Sequence, residues 1–243
     1  MHITAETFWL PKQGYAFSDY EDAYYPNSFI KQQVNIFRCA VADGATESSF
    51  SGQWAQLLVK AYCEDKLEVD GFNYYLPQLQ QQWINQVTTQ PLPWYAEAKL
   101  QQGTFSTLVG LTLHKQPPTG KVLAIGDSCL FQVRQENLIH CFPLIHSQQF
   151  NNNPSLLSSN VLYNKHLAEH IYQINIKWRR GDEFYLMTDA LAYWFLHNYE
   201  QHSQPWQTLR HLTQQNFKDW IIKLIAAQHL SNDDVTLMRI FLK

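Results

Sequence analysis

An α+β fold, with antiparallel sheets flanked by helices, is the class this sequence predicts, and three observations predict it. Short runs rich in β-branched and aromatic residues recur along the chain, with long helical stretches inserted between them. The runs at 121–125, 129–134 and 138–144 follow one another with only turns between, which hairpins allow and parallel crossovers do not. No Gly/Ser linker, charge run or internal repeat divides the 243 residues, so a single domain over 1–243 is expected.

Taken in order, 3–10 and 34–42 read as strands, the second carrying Val34-Asn35-Ile36-Phe37-Arg38-Cys39-Ala40-Val41. In 51–66, Trp54, Leu57, Leu58 and Ala61 fall at helical spacing, with Ser51 as the expected N-cap. The Gln- and Leu-rich segment 76–100 reads as two helices parted at Pro91 and Pro93. Strand character returns at 103–113 and continues through the three hairpin-linked runs, with turns at Pro117-Pro118-Thr119-Gly120 and Gln135-Glu136-Asn137. The polar stretch 151–160 reads as an irregular loop. Strands at 171–177 and 183–187, helices at 190–199 and 216–228, and a last strand at 234–242 complete the chain. Trp54, Trp83, Trp94, Trp194 and Trp220 lie in helical stretches and are expected in the core.

Composition removes several classes. The net charge is only −3 with both signs mixed, so the basic stripe of a nucleic-acid binder is missing. No apolar run approaches the roughly 18–20 residues that span a bilayer, and residues 1–6 lack the pattern of a signal peptide. Cys39, Cys63, Cys129 and Cys141 are far apart without a CxxC pair, and three sit in apolar stretches, which suits buried free thiols. A cytoplasmic location and no membrane or nucleic-acid partner are therefore expected. His166 and His170 stand at i, i+4 but without an HExxH pattern, and packing or surface roles are expected for them. There is no G-x-S-x-G elbow and no phosphate loop ending in Lys-Ser/Thr.

Acidic residues recur where strands meet turns: Glu21-Asp22, Asp43-Gly44, Asp127, Asp189 and Asp233-Asp234. Carboxylates at strand ends can converge on one edge of a sheet, and hard divalent cations such as Mg²⁺ and Mn²⁺ take such oxygen ligands. Each site also has a plainer reading: Asp43-Gly44 and Asp127-Ser128 as turns, Asp189 as a helix cap, Asp233-Asp234 as a polar lead-in, Glu21-Asp22 as surface charge.

The order of these blocks resembles the metal-dependent protein phosphatase family of the 2C type over residues 15 to 240. Glu21-Asp22 matches its acidic pair, Ala42-Asp43-Gly44 its Asp-Gly, and Gly103-Thr104-Phe105-Ser106-Thr107 its glycine-started strand. Gly126-Asp127-Ser128, Thr188-Asp189-Ala190 and Asp233-Asp234-Val235-Thr236 follow in the family's sequence. The resemblance implies a four-layer α-β-β-α sandwich, two mainly antiparallel sheets flanked by helices, with metals at one end. It implies that Asp43 bridges two Mg²⁺ or Mn²⁺ ions, with Glu21 and the Gly44 carbonyl on one and Asp189 and Asp233 on the other. Asp22 would orient metal-bound water, and Asp127 with Asp189 would support a third ion. The implied reaction is hydrolysis of phosphoserine and phosphothreonine in a phosphorylated protein partner, by a monomer.

The departures are equally specific. Phe17 stands where the family carries its phosphate-binding Arg, with Lys12 as a candidate replacement, and Ala45 stands where many members have His. Ala190 replaces a Gly, Asp234 an Asn, and the segment 147–160 lacks a Thr-x-Asp-His pattern. They support an alternative, a catalytically weak phosphoprotein-binding module, beside a third reading in which the substrate is a small phosphorylated metabolite.

Overall fold

The computed structural model describes residues 1–46, 48–68, 71–89, 100–150 and 154–243. Period-two burial along the strands builds two sheets face to face. One sheet has six strands: β1 (His2–Leu10), β3 (Ile30–Gln33), β8 (Cys129–Arg134), β9 (Asn137–Phe142), β12 (Glu183–Met187) and β13 (Val235–Leu242). Their order is β3-β1-β13-β12-β8-β9. The other has five strands in the order β11-β7-β6-β4-β2: Tyr172–Lys177, Thr119–Ile125, Leu108–His114, Ile36–Ala42 and Ala23–Tyr25. Every ladder among the described residues is antiparallel. A small ladder joins β5 (Phe105–Ser106) to β10 (Leu157–Ser158).

Alternation sorts each strand's side chains between layers. In β12, Phe184 and Leu186 enter the core between the sheets, while Tyr185 and Met187 face the opposite way into a helix-covered core. In β4, Phe37, Cys39 and Val41 join the inter-sheet core and Ala40 and Ala42 the other helix-covered face. Helices α1 (Ser51–Cys63) and α2 (Phe72–Val87) cover the five-stranded sheet. Helices α3 (Asp189–Glu200), α4 (Pro205–Arg210) and α5 (Phe217–Ala226) cover the six-stranded one. This is the expected four-layer α-β-β-α sandwich.

Several local expectations need correction. Ser51 is the first helical residue of α1 and does not cap it; the capping position is Phe50, in a left-handed conformation (φ 65°) without a side-chain cap bond. The hydroxyl of Ser51 is taken instead by Glu21 Oε1, at 2.6 Å, a tertiary partner that outcompetes the local one. The run 103–113 splits into two strands, and 154–160 contains β10. The helix break at Pro91 and Pro93, Trp94, and 151–153 lie outside the described residues. Cys39 and Cys129 are buried, Cys63 and Cys141 half-buried, and all four are free. His170 Nδ1 lies 3.0 Å from Ser155 Oγ and His166 Nδ1 3.0 Å from Glu169 Oε1, so each ring has a local partner.

Trp54 links the helical layer to the site end of the sheet. Its side chain is 0% exposed, and its indole N–H donates to the Leu157 carbonyl at 2.9 Å. Trp54→Ala is expected to destabilise the protein by about 3–5 kcal/mol, through the cavity and the orphaned carbonyl. Urea unfolding measures this; a loss well under 1 kcal/mol would contradict the packing described (the lower edge of about 0.5–1 is what mild core changes cost).

Candidate metal centre

The site forms where strand ends of both sheets meet the segment linking β1 to β2. Asp234, at the entry to β13, fixes that segment: Oδ1 accepts the Lys12 N–H at 2.8 Å and Oδ2 the Glu21 N–H at 2.7 Å. Both partners are donors, so a carboxylate satisfies both where an amide side chain has one acceptor oxygen. The Asp234 departure thus has a structural reason.

Asp43 follows β4 and is locked to residues 105–107. Its N–H donates to Thr107 Oγ1 at 2.9 Å, and its carbonyl accepts the Thr107 N–H at 2.8 Å. Gly44 pairs with Ser106, and a Cβ there would stand 2.6 Å from the Glu21 carbonyl oxygen and 2.8 Å from the Ser51 backbone. Only glycine fits that approach. Asp127 sits in the turn between β7 and β8, made by Gly126 at φ 89°, and Thr107 Oγ1 meets Ser128 Oγ at 2.6 Å. Asp189 opens α3, its Oδ1 accepting the Ala190 N–H at 2.6 Å. Asp233 Oδ1 accepts the Asp234 N–H at 2.9 Å.

Asp43, Asp127, Asp189 and Asp233 line one cavity of about 530 Å³. Asp127 and Asp189 also border a cavity of about 570 Å³ walled by Phe150, Tyr193, Ile225 and Leu230. Asp22 is buried behind the cluster, with Oδ2 accepting from Thr236 Oγ1 at 2.7 Å and Oδ1 making no hydrogen bond. Tyr20 OH bonds the same Thr236 hydroxyl. Glu21 is not brought to the aspartate cavity: its carboxylate takes the Ser51 hydroxyl, lies 3.7 Å from Lys12 Nζ and borders an adjoining cleft.

Electrostatics mark the cluster as under-compensated. Burial, then the charges of Asp22, Asp189, Asp127 and Asp233, hold the Asp43 carboxyl well above the carboxylate range. Burial pushes Asp22 up strongly; Thr236 and Thr188 temper this, while Asp234 and Asp189 add to it. Burial, followed by Asp127 and Asp233, raises Asp189 to about 7, and burial raises Asp127 to about 6. Asp233 is raised chiefly by burial, with Lys12 acting in the other direction. Lys12 itself is 8% exposed, and its ammonium lies 3.5 Å from Thr46 Oγ1, 3.7 Å from Glu21 and 4.5 Å from the centroid of the Tyr15 ring.

Residues 19–228 match the Protein phosphatase 2C family. The chain belongs to that family. Phosphatase 2C structures are matched across the whole fold. The Mycobacterium tuberculosis serine/threonine phosphatase PstP/Ppp aligns with a TM-score of 0.61 and 15% identity, covering 100% of both chains. The PstP catalytic domain in complex with two manganese ions aligns at 0.60 and 15%, covering 99% of each. The photosystem II phosphatase PBCP aligns at 0.60 and 13%, also covering 99% of each. Comparison with curated proteins finds no match.

The donor set of this phosphatase 2C chain fits divalent cations. Buried, mutually repelling carboxylates and the unpartnered Asp22 Oδ1 supply hard oxygen ligands and a deficit of positive charge. Among the described residues no three His, Cys, Asp or Glu side chains form a ready coordination group. The aspartates converge on a shared cavity without closing on one point, as repulsion between uncompensated carboxylates requires.

The Thr107–Ser128 pair, the Tyr20–Thr236–Asp22 chain and the burial of Lys12 were not legible in the sequence. Their only signal is a hydroxyl residue next to two of the acids, Ser128 after Asp127 and Thr188 before Asp189.

Proposed function

We propose that this protein is a divalent-metal-dependent phosphatase hydrolysing phosphoserine and phosphothreonine in proteins. The observation carrying this reading is the convergence of Asp43, Asp127, Asp189 and Asp233 on one cavity, each with its carboxyl raised by burial. Asp43, Asp189 and Asp233 would hold two Mg²⁺ or Mn²⁺ ions with the Gly44 carbonyl, and Asp127 would serve a third, while Glu21, held by Ser51 and Lys12 in the adjoining cleft, stands outside this set. Bound ions supply charge neutralisation for the phosphate and a lowered pKa for the attacking water. The manganese complex of PstP, at low identity, agrees with that choice of cation.

The chain's own residues then have distinct tasks. Asp22, buried beside the aspartates with Oδ2 fixed by Thr236, would orient the water that attacks the phosphate, whose released proton would end on the leaving serine or threonine oxygen. Attack forms one P–O bond as the ester P–O bond breaks, giving inorganic phosphate and the serine or threonine hydroxyl. Lys12 supplies positive charge to a phosphate oxygen in place of the missing Arg, because its buried ammonium has donors to spare. Lys12→Met is expected to lower kcat/KM on a phosphopeptide by about tenfold or more, and Lys12→Arg to restore much of it. Equal kcat/KM in wild type and Lys12→Met would remove Lys12 from substrate binding.

Phe17, 68% exposed and packed edge-on against Trp9 at 5.6 Å, favours the second reading, a phosphoprotein-binding module with weak turnover. Hydrolysis of p-nitrophenyl phosphate and a phosphothreonine peptide, with Mn²⁺, Mg²⁺ or EDTA, decides between them. Metal-dependent release of phosphate supports the phosphatase; no release by folded protein under any condition supports the binding module.

A further inference from the structure

We propose that the cleft between α1 and α2 holds the main chain of an extended segment of the phosphoprotein substrate, flanking the phosphorylated residue. This inference rests on the phosphatase reading. The cleft has a volume of about 840 Å³, and Thr46 lines both it and the aspartate cavity, so the two adjoin. Lys12 stands at the inner end. Gln53 and Gln56 line it from α1, and Gln82 and Gln86 line it from α2.

Charge complementarity selects the occupant. The ionised groups bordering the cleft already face one another: Lys12 with Glu21 at 3.7 Å, and Lys60 with Glu64 at 4.0 Å. Asp19 accepts the Ala16 N–H at 3.1 Å and the Ser18 hydroxyl at 3.2 Å. Beside these charges stand neutral groups: among the described residues, the four glutamine amides have no hydrogen-bond partner. An amide offers one acceptor and two donors, the complement of a peptide group, without preferring any side chain.

Spacing agrees. Gln82 and Gln86 are one i, i+4 step apart, about 6 Å along the helix axis. An extended chain presents same-side peptide groups about every 6.6–6.8 Å. The two walls are also tied together at the mouth. The Phe50 carbonyl accepts the Trp83 indole N–H from α2 and the Trp54 N–H from α1, each at 3.3 Å. Phe50 holds a left-handed conformation unusual for a bulky residue and borders the cleft. The cleft is therefore a braced surface, with neutral amides leading away from the reacting phosphate. A phosphorylated metabolite has no chain to lay along it.

The test uses the pairs Gln53→Ala/Gln56→Ala and Gln82→Ala/Gln86→Ala, chosen because alanine keeps an exposed helix intact. With Mn²⁺, each pair is expected to raise KM for a ten-residue phosphothreonine peptide by about tenfold, with kcat little changed. Hydrolysis of p-nitrophenyl phosphate, which has no main chain, should keep wild-type kcat and KM. Unchanged peptide KM in both pairs, with the small substrate still turned over, overturns the cleft assignment while leaving the phosphatase intact. Should wild type turn over neither substrate, the phosphatase reading fails, and anisotropy of the same peptide, fluorescein-labelled, tests the cleft alone. Tenfold weaker binding by the variants then supports the cleft; equal or absent binding overturns it.

Discussion

Asp43→Asn is expected to lower turnover on the order of 10³-fold or more, while leaving the metal-free protein at least as stable as wild type. The two halves of this expectation have one cause. Asp43 is buried among Asp22, Asp189, Asp127 and Asp233, and every one of those charges makes its ionised form harder to hold. Removing that charge relieves repulsion in the metal-free fold and removes a ligand from the proposed two-ion site. The backbone anchors remain, since the bonds to Thr107 involve the Asp43 N–H and carbonyl. Steady-state hydrolysis with Mn²⁺ and thermal unfolding in EDTA measure the two halves separately. Asp189→Asn should behave alike, and full activity in both variants would end the metal-centre assignment.

In EDTA, the protein is expected to lose stability as pH rises from about 4 to about 7, a direction opposite to ordinary acid denaturation. Asp127 is raised from 3.8 to about 6 and Asp189 from 3.8 to about 7, so the folded state holds protons that the unfolded chain has released. Stability tied to these groups is complete below the unfolded value and is lost as pH climbs through the folded ones. At about 1.4 kcal/mol per pKa unit, the pair is worth about 6 kcal/mol across this window. Each kcal/mol moves Tm by about 2–4 °C at this size, so the fall is on the order of 10–20 °C. Saturating Mn²⁺ should reverse the slope, because cations bind the ionised carboxylates and add stability as protons leave. A metal-free Tm that rises between about pH 5 and about pH 7 (the upper part of that range), or Mn²⁺ that stabilises equally at both, would count against the cluster.

Asp43, Asp127, Asp189 and Asp233 could be nominated from the sequence because each lies next to a strand end, where local chemistry and position coincide. The same holds for the hairpin turn at Gln135-Glu136, both of which have positive φ. Ser51 shows the opposite case. Its cap role was a sound local expectation, yet the hydroxyl turns to Glu21, thirty positions away in the chain. Glu21 in turn faces Lys12 and the cleft, a choice made by neighbours that no sequence window contains.

By itself the sequence determined the layers and the acids, because strand alternation, helical spacing and turn chemistry act over a few residues. Its ordered blocks also carried the family. Tertiary structure alone decided which carboxylates share a cavity, why Asp234 serves two backbone amides, and that Lys12 is a buried cation with donors to spare. Those outcomes depend on desolvation and on charges brought together from distant segments, and both are set by packing in three dimensions.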